Sequence, residues 1–348
     1  MTPSLSICIP TFNRRHYLDE LLASLAPQVD CDVELVISDN ASTDGTAEMV
    51  DAWRHRLPLI RYHRWDTNRG ADSNYLSCVE LASGRYCWFI GSDDIAAADA
   101  VATIREGMTK GADCMLFARD LRTRDMVPLG NHSFWSFTND RIFDFSRQPL
   151  RDYFELSTSL CALFSYLSSI VFRRDFWMQD TSKERLVGSA YAHADILLRQ
   201  LERGGSLLAS STTVVRCRCG NDSFSDGNKG KRLSLDFDGY ARIAESLPDA
   251  TDGLGLMRIL VREHPWRNLI HVLRHKRAVD PVAERSFLDL LARLGVARHR
   301  LAWYRIVATT PWFEMFLRVE PLFKKDGPLV KMKRRLRQMV GPPQEGAA

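Results

Sequence analysis

The chain has 348 residues, 45% of them hydrophobic and 26% charged, with a formal net charge of +4. That composition excludes a disordered or fibrous chain, and so small a positive balance excludes a protein whose whole surface is a nucleic-acid footprint. The length exceeds one typical hydrophobic core, so two subdomains, or one large domain with an appendage, are expected.

The eight cysteines sit mostly inside apolar runs, where a free thiol behaves as a small hydrophobe. They read as reduced, which points to the cytoplasm. Cys217 and Cys219 are too close together to form half of a zinc knuckle. Residues 1–4 lack the basic region that opens a signal peptide, and no stretch reaches the ~20 apolar residues of a membrane-spanning helix.

Residues 6–10 form a short apolar run closed by a proline, the pattern of a buried strand and its stop. A polar loop follows at 11–15, and then Leu18, Leu21, Leu22 and Leu25 recur at helical spacing. Residues 33–38 predict a second strand running into Asp39-Asn40-Ala41-Ser42-Thr43-Asp44-Gly45-Thr46, which is dense in turn and capping residues. A helix bearing Met49, Val50 and Trp53 comes next, then a third strand at 59–63 and a turn at Asn68-Arg69-Gly70. Tyr75, Leu76, Val79 and Leu81 mark a helical face that ends at Gly84, and residues 86–91 form a fourth strand that stops on Ser92-Asp93-Asp94. Four alternations of strand and helix predict an α/β fold, a mostly parallel, Rossmann-like sheet flanked by helices.

Every polar loop in this stretch follows a strand, so Thr11, Asp39, Asn68 and Asp93 should converge on the carboxyl edge of the sheet, where open α/β folds bind ligands. Two adjacent carboxylates at a strand end read either as an acidic turn or as a site for a hard divalent cation that relieves their repulsion. Neither the dinucleotide fingerprint nor the P-loop occurs.

Taken together, Ile9-Pro10-Thr11-Phe12-Asn13, the Ser38–Thr46 segment, Asn68-Arg69-Gly70 and Gly84-Arg85-Tyr86 leading to Ser92-Asp93-Asp94 resemble the nucleotide-sugar half of family 2 glycosyltransferases of the GT-A fold. The form of the motifs is similar to the abequosyltransferase-like group that transfers O-antigen deoxysugars. The resemblance implies that Pro10, Thr11, Asn13, Asp39, Asn40, Asn68, Gly70, Ser92 and Asp93 hold a nucleotide-diphosphate sugar. It also implies that Asp93 and Asp94 hold Mg²⁺ or Mn²⁺. Two departures stand out: the family has a second aspartate where this chain has Asn40, and an aspartate where it has Gly91. One carboxylate fewer implies weak metal binding, with the metal arriving mainly with the substrate.

Residues 114–118 predict a further strand, after which 119–140 read as irregular. Phe134, Trp135 and Phe137 are either core residues under a loop or a wall for a sugar ring, with core the commoner role. Residues 168–174 predict a strand ending on two arginines. The helix at 188–204 carries the second informative pattern. In the family an arginine lies six residues after the catalytic aspartate, and counting back from Arg199 places His193 there, with Asp195 at a second acidic position. The resemblance therefore makes His193 and Asp195 the catalytic candidates of an inverting transfer. A histidine titrating near neutrality is able to take the acceptor proton. His193 reads equally as a packing or capping residue, or as a metal ligand. Two positions apart on a helix, it and Asp195 do not share a face.

From about residue 239 the chain reads as helical, with leucine-rich spacing at 254–261, 269–273, 287–294 and 301–307. His264, His271 and His275 lack acidic partners at ligand spacing. Residues 311–317 are aromatic and apolar, and 318–337 carry eight basic against two acidic residues. That pattern suits either an anionic membrane surface or a solvated helical face. The expected organisation is a donor half at 1–115, an acceptor half at 116–235 and a helical region at 236–348. The expected function is metal-assisted transfer of one sugar to a hydroxyl of a glycan, or of a lipid-linked oligosaccharide, during surface polysaccharide assembly. A catalytically degenerate binding module and a sugar nucleotidyltransferase are the alternatives. The expected location is cytoplasmic, peripheral to the membrane, with no nucleic-acid partner.

Overall fold

The computed structural model describes residues 2–57, 59–221, 224 and 228–310. The aromatic stretch at 311–317 and the basic segment at 318–337 lie outside the described residues.

Every position of β1 (Leu5–Thr11) is buried, which requires cover on both faces of the sheet. Leu18, Leu21, Leu22 and Leu25 of α1 (Arg15–Leu25) supply part of it. β2 (Val33–Asp39) is equally buried, and α2 (Thr46–Trp53) turns Met49, Val50 and Trp53 inward. β3 (Ile60–Arg64), α3 (Ala71–Leu81) and β4 (Tyr86–Phe89) complete the alternation. β1 pairs in parallel with β2 and with β4, and β2 in parallel with β3. In this register Thr11 lies opposite Asp39, so the first two strands end level.

The remaining elements of the sheet part are β5 (Ile95–Ala96), α4 (Ala100–Thr109), β6 (Cys114–Arg122), β7 (Pro128–His132), β8 (Arg141–Asp144) and α5 (Leu150–Leu156). They continue with β9 (Ile170–Arg173), α6 (Arg174–Met178), α7 (Ala192–Glu202), β10 (Ser206–Arg218), α8 (Lys229–Ser246) and α9 (Ala250–Glu263). The sheet order is β3-β2-β1-β4-β9-β6-β10-β5, with β7 on β6 and β8 on β10. β9 runs antiparallel between β4 and β6, and β10 is parallel to β6, so β1 to β4, β6 and β10 share one direction.

Two local differences from the sequence reading have physical causes, and a third stretch takes the commoner of its two expected roles. β1 runs through Pro10 to Thr11, because β4 pairs only as far as Cys8 and leaves the proline beside β2 alone. Residues 119–140 are partly ordered as the end of β6 and the exposed strand β7, whose solvated positions carry no apolar alternation. Phe134, Trp135 and Phe137 are buried, and they join Phe143, Phe145 and Tyr153 in one aromatic cluster. The Trp135 Nε1–H donates to the Tyr153 hydroxyl at 3.0 Å, so these rings form core and not a sugar-binding wall.

Contacts divide the chain into two units, Met1–Pro265 and Trp266–Ala348. The helical region expected from residue 236 is thereby divided, with α8 and α9 in the first unit. The described part of the second is α10 (Trp266–Val279), α11 (Pro281–Arg293) and α12 (Arg298–Thr309). Its interior holds Leu269, Ile270, Val272 and Leu273 with Phe287, Leu291, Tyr304 and Ala308. Among the described residues no helix is long and apolar enough to cross a membrane.

Candidate active site

The loops after β1, β2, β3 and β4 meet at the carboxyl edge of the sheet, around a cleft of about 490 Å³. It gathers eight residues singled out from the sequence: Pro10, Thr11, Asn40, Asn68, Gly70, Ser92, Asp93 and Asp94. The Thr11 Oγ1 is buried and has no hydrogen-bond partner among the described residues. Asn40 shapes the loop that faces it. Its amide donates to Asn68 Oδ1 (2.8 Å) and to the Gly70 carbonyl (3.1 Å), and its Oδ1 accepts from the Arg69 N–H (2.8 Å). Gly70 sits at φ +83°, in the left-handed region that favours glycine, immediately before α3.

Asn13 and Asp39 stand behind the cleft wall. The Asn13 N–H donates to Ser42 Oγ (2.8 Å), and its Oδ1 accepts from the Thr43 N–H (2.8 Å), tying the first two loops together. Asp39 is fully buried and accepts from the Ser42 N–H (2.8 Å) and the Tyr62 hydroxyl (2.6 Å). Burial, with the Asp39 charge beside it, pushes the Tyr62 phenol well up, so that hydroxyl stays a donor.

The paired acids have separate environments. Asp93 opens on the cleft, with Arg14 Nη1 2.7 Å from Oδ1 and the Asn221 amide donating to Oδ2 at 2.9 Å. Asp94 is buried. Its Oδ2 accepts from Tyr166 and Ser168 hydroxyls, both at 2.6 Å, and its Oδ1 from the Arg218 N–H at 3.0 Å. Burial and the neighbouring Asp93 charge push the Asp94 carboxyl up to about 6, against the pull of those donors. Arg218 binds both halves of this turn, since its Nε also donates to the Asp93 carbonyl (2.8 Å) while its guanidinium reaches Glu20 and covers the Tyr17 ring. Gly91 is pressed against the acids: a Cβ there would stand 3.1 Å from Asp93 Oδ1 and 3.4 Å from Asp94 Oδ2.

The divalent cation implied by the family resemblance fits Asp93, a hard carboxylate in the cleft wall whose present partners are a cation and an amide. It does not fit Asp94, whose oxygens are already taken by two hydroxyls and an amide N–H. Among the described residues no three His, Cys, Asp or Glu side chains cluster as a metal site. Among the described residues the cleft thus offers one carboxylate, and a bound diphosphate would supply further oxygens.

His193 and Asp195 do not line this cleft. His193 is 2% exposed, its Nε2 lies 2.9 Å from the Phe164 carbonyl, and its ring packs edge-on against Tyr75, which does line the cleft. Burial holds the imidazole below its ordinary pKa, so the ring is neutral with Nε2–H as the donor. Asp195 is occupied by Arg185 and Arg199, and Arg199 also pairs with Asp180 at 2.8 Å. The two residues therefore stand as an inner support and a buried ion cluster, and they do not touch one another.

Sequence reasoning missed Arg14, Tyr166, Ser168, Arg218 and Asn221 as partners of the acids. Arg218 left no signal, since it ends a strand, Ser206–Arg218, that also carries Ser210, Ser211, Thr212, Thr213 and Arg216. Tyr166 and Ser168 lie at a 3₁₀ turn, Leu167–Ser169, which has no periodic pattern. Asp72 was also missed. It is 3% exposed and accepts from the N–H groups of Gly188 (2.8 Å), Ala190 (2.8 Å) and Ala192 (3.2 Å), fastening α3 to the start of α7.

A cleft at the carboxyl edge, on a mostly parallel sheet of this order, defines an α/β protein with a ligand site at its strand ends. The S. aureus TarS 1–349 structure in complex with UDP shares the fold, with a TM-score of 0.55 at 15% identity over 92% of this chain and 93% of that one. So does the mannosyltransferase PcManGT from Pyrobaculum calidifontis in complex with GDP-Man and Mn²⁺, with a TM-score of 0.52 at 15% identity, covering 94% and 89%. The Glycosyl transferase family 2 model matches residues 6–170. Abequosyltransferase RfbV of Salmonella typhimurium is 38% identical over 306 residues, 85% of this chain and 91% of that protein. The chain belongs to glycosyl transferase family 2 and is a glycosyltransferase.

Proposed function

We propose that the protein transfers a single sugar, of the deoxyhexose class, from a nucleotide-diphosphate donor to a hydroxyl of a lipid-linked glycan in surface polysaccharide assembly. The observation that carries this is the cleft itself, which Thr11, the Asn40-clamped loop and the Asp93 carboxylate line together. The name of the abequosyltransferase relative supports the sugar class, and the UDP and GDP-Man complexes of the fold relatives support the donor class. The donor would lie against residues 1–115 and the acceptor against 116–235.

In this reading Thr11 and the 68–70 loop hold the nucleoside, and Arg14 turns from Asp93 toward the diphosphate. Asp93 is the residue that would hold Mg²⁺ or Mn²⁺, which when bound neutralises charge on the leaving diphosphate. Fixed charges aimed at the leaving group act where negative charge develops, usually the largest catalytic contribution. The transfer is inverting, as the family resemblance implies. His193 acts by holding Tyr75 and the Phe164 segment in place. Work at the cytoplasmic membrane face, aided by the basic segment at 318–337, completes the reading.

The experiment is donor turnover with an Asp93→Asn variant. Release of nucleoside diphosphate from one sugar nucleotide should fall at least ~100-fold in Asp93→Asn, the scale of losing one preorganised charge contact, with the melting temperature retained. A variant as active as the parent would remove Asp93 from the mechanism.

A further inference from the structure

Charge is divided unevenly between the two units. Met1–Pro265 holds 30 Lys and Arg against 36 Asp and Glu, whereas Trp266–Ala348 holds 17 against 7. The modest overall balance of +4 therefore conceals an acidic catalytic unit and a strongly basic second one. Part of that basic charge frames an apolar strip on α12. Ile306 is 62% exposed and Trp303 45% exposed, while Tyr304 and Ala308 face inward. At helical spacing Ala302 and His299 lie on the same outer face as Ile306 and Trp303. Arg298 and Arg305 border one side of this strip, Arg300 borders the other, and all three are exposed. Trp303 is seated edge-on against Trp266, with ring centroids 4.9 Å apart, which holds it in place.

A solvated face has no need of an exposed isoleucine and tryptophan side by side. A second protein copy would meet a face edged by like charges. An anionic lipid surface satisfies both parts, because the strip enters the headgroup boundary while Arg298 and Arg300 reach lipid phosphates, Arg305 being held 3.8 Å from Glu284. Tryptophan suits that boundary, with an apolar ring and a polar N–H. From this we infer that the outer face of α12, centred on Trp303 and Ile306, is an in-plane docking surface for anionic membrane lipid. It is distinct from the basic segment at 318–337. The inference rests on the proposed lipid-linked acceptor for its purpose, not for its evidence.

The test is sedimentation of the full-length protein with phosphatidylglycerol–phosphatidylcholine vesicles and with pure phosphatidylcholine vesicles. Ile306→Glu, Arg298→Glu/Arg300→Glu and a deletion of residues 318–348 are measured beside the parent. Binding to the anionic vesicles, weak on pure phosphatidylcholine and reduced by salt, should drop at least fivefold in Ile306→Glu and in the double charge reversal. Each variant should keep its circular dichroism and its rate of nucleoside diphosphate release from a soluble donor. Undiminished binding in both variants, or complete loss in the deletion with no effect of Ile306→Glu, would overturn the inference and assign docking to the terminal segment. Absence of donor turnover in the parent would instead strike the glycosyl-transfer reading and leave vesicle binding to be judged by itself.

Discussion

Thr11 and Asp94 are the two cleft residues whose energetics speak most directly to function. A buried hydroxyl with no partner carries an unreturned desolvation cost, so Thr11 Oγ1 is informative in the free protein. Thr11→Val should leave the melting temperature unchanged or higher while raising the donor KM by roughly 2–13-fold, the worth of one hydrogen bond. An unchanged KM would mean that the donor does not reach it. Asp94 adds a pH signature, since its folded pKa of about 6 lies above the ordinary 3.8. The folded state therefore favours the protonated acid. That contribution is complete below pH 3.8 and is lost as the pH rises through 6. Denaturant unfolding of the parent and of Asp94→Asn across this interval should show the parent losing stability relative to the variant. Parallel curves would contradict the buried, charge-coupled setting. The sequence made Asp93 and Asp94 visible as a pair but not as unequal partners. What divides them is Tyr166, Ser168 and Arg218, 72 to 125 residues away in the chain, brought in only when β9 and β10 join the sheet.

Elements with local periodicity were legible, and elements defined by their neighbours were not. The first four strands and three helices announce themselves through leucine spacing and turn residues, and their order fixes which edge carries the cleft. β9 reads as a strand, but nothing in 170–173 says that it runs antiparallel between β4 and β6. The helix at 188–204 was also visible, and its arginine-based count to His193 landed on a residue that is buried. Burial there depends on α3, because Asp72 draws the 188–192 backbone onto that helix. Asp72→Ala would leave the buried N–H groups of Ala190 and Ala192 unpaired and return that of Gly188 to water, and a loss of about 2–4 kcal/mol is expected in denaturant unfolding, since each buried orphaned donor costs about 1–3 kcal/mol before relaxation. A loss under ~1 kcal/mol would show that water replaces the carboxylate and that the tie is weak.

At the scale of the whole molecule, an acidic sheet unit gathers the candidate donor cleft and a basic helical unit follows it in the chain. The α/β class was readable because four alternations already commit the chain to a parallel sheet, and the divide at Pro265 was not, because α8 and α9 look from sequence like the helices beyond them. Catalysis requires the cleft to be a working donor site and not a relic weakened by Gly91. Gly91 removes a carboxylate, yet it leaves Asp93 facing the cleft with a cation already beside it. The most direct measurement is nucleoside diphosphate release from a panel of sugar nucleotides by the full-length protein, with Mg²⁺ or Mn²⁺, beside Asp93→Asn. Consumption of one donor by the parent, abolished in the variant, is the predicted result, whereas a panel left intact in the presence of metal and glycan acceptors would contradict catalysis at this cleft.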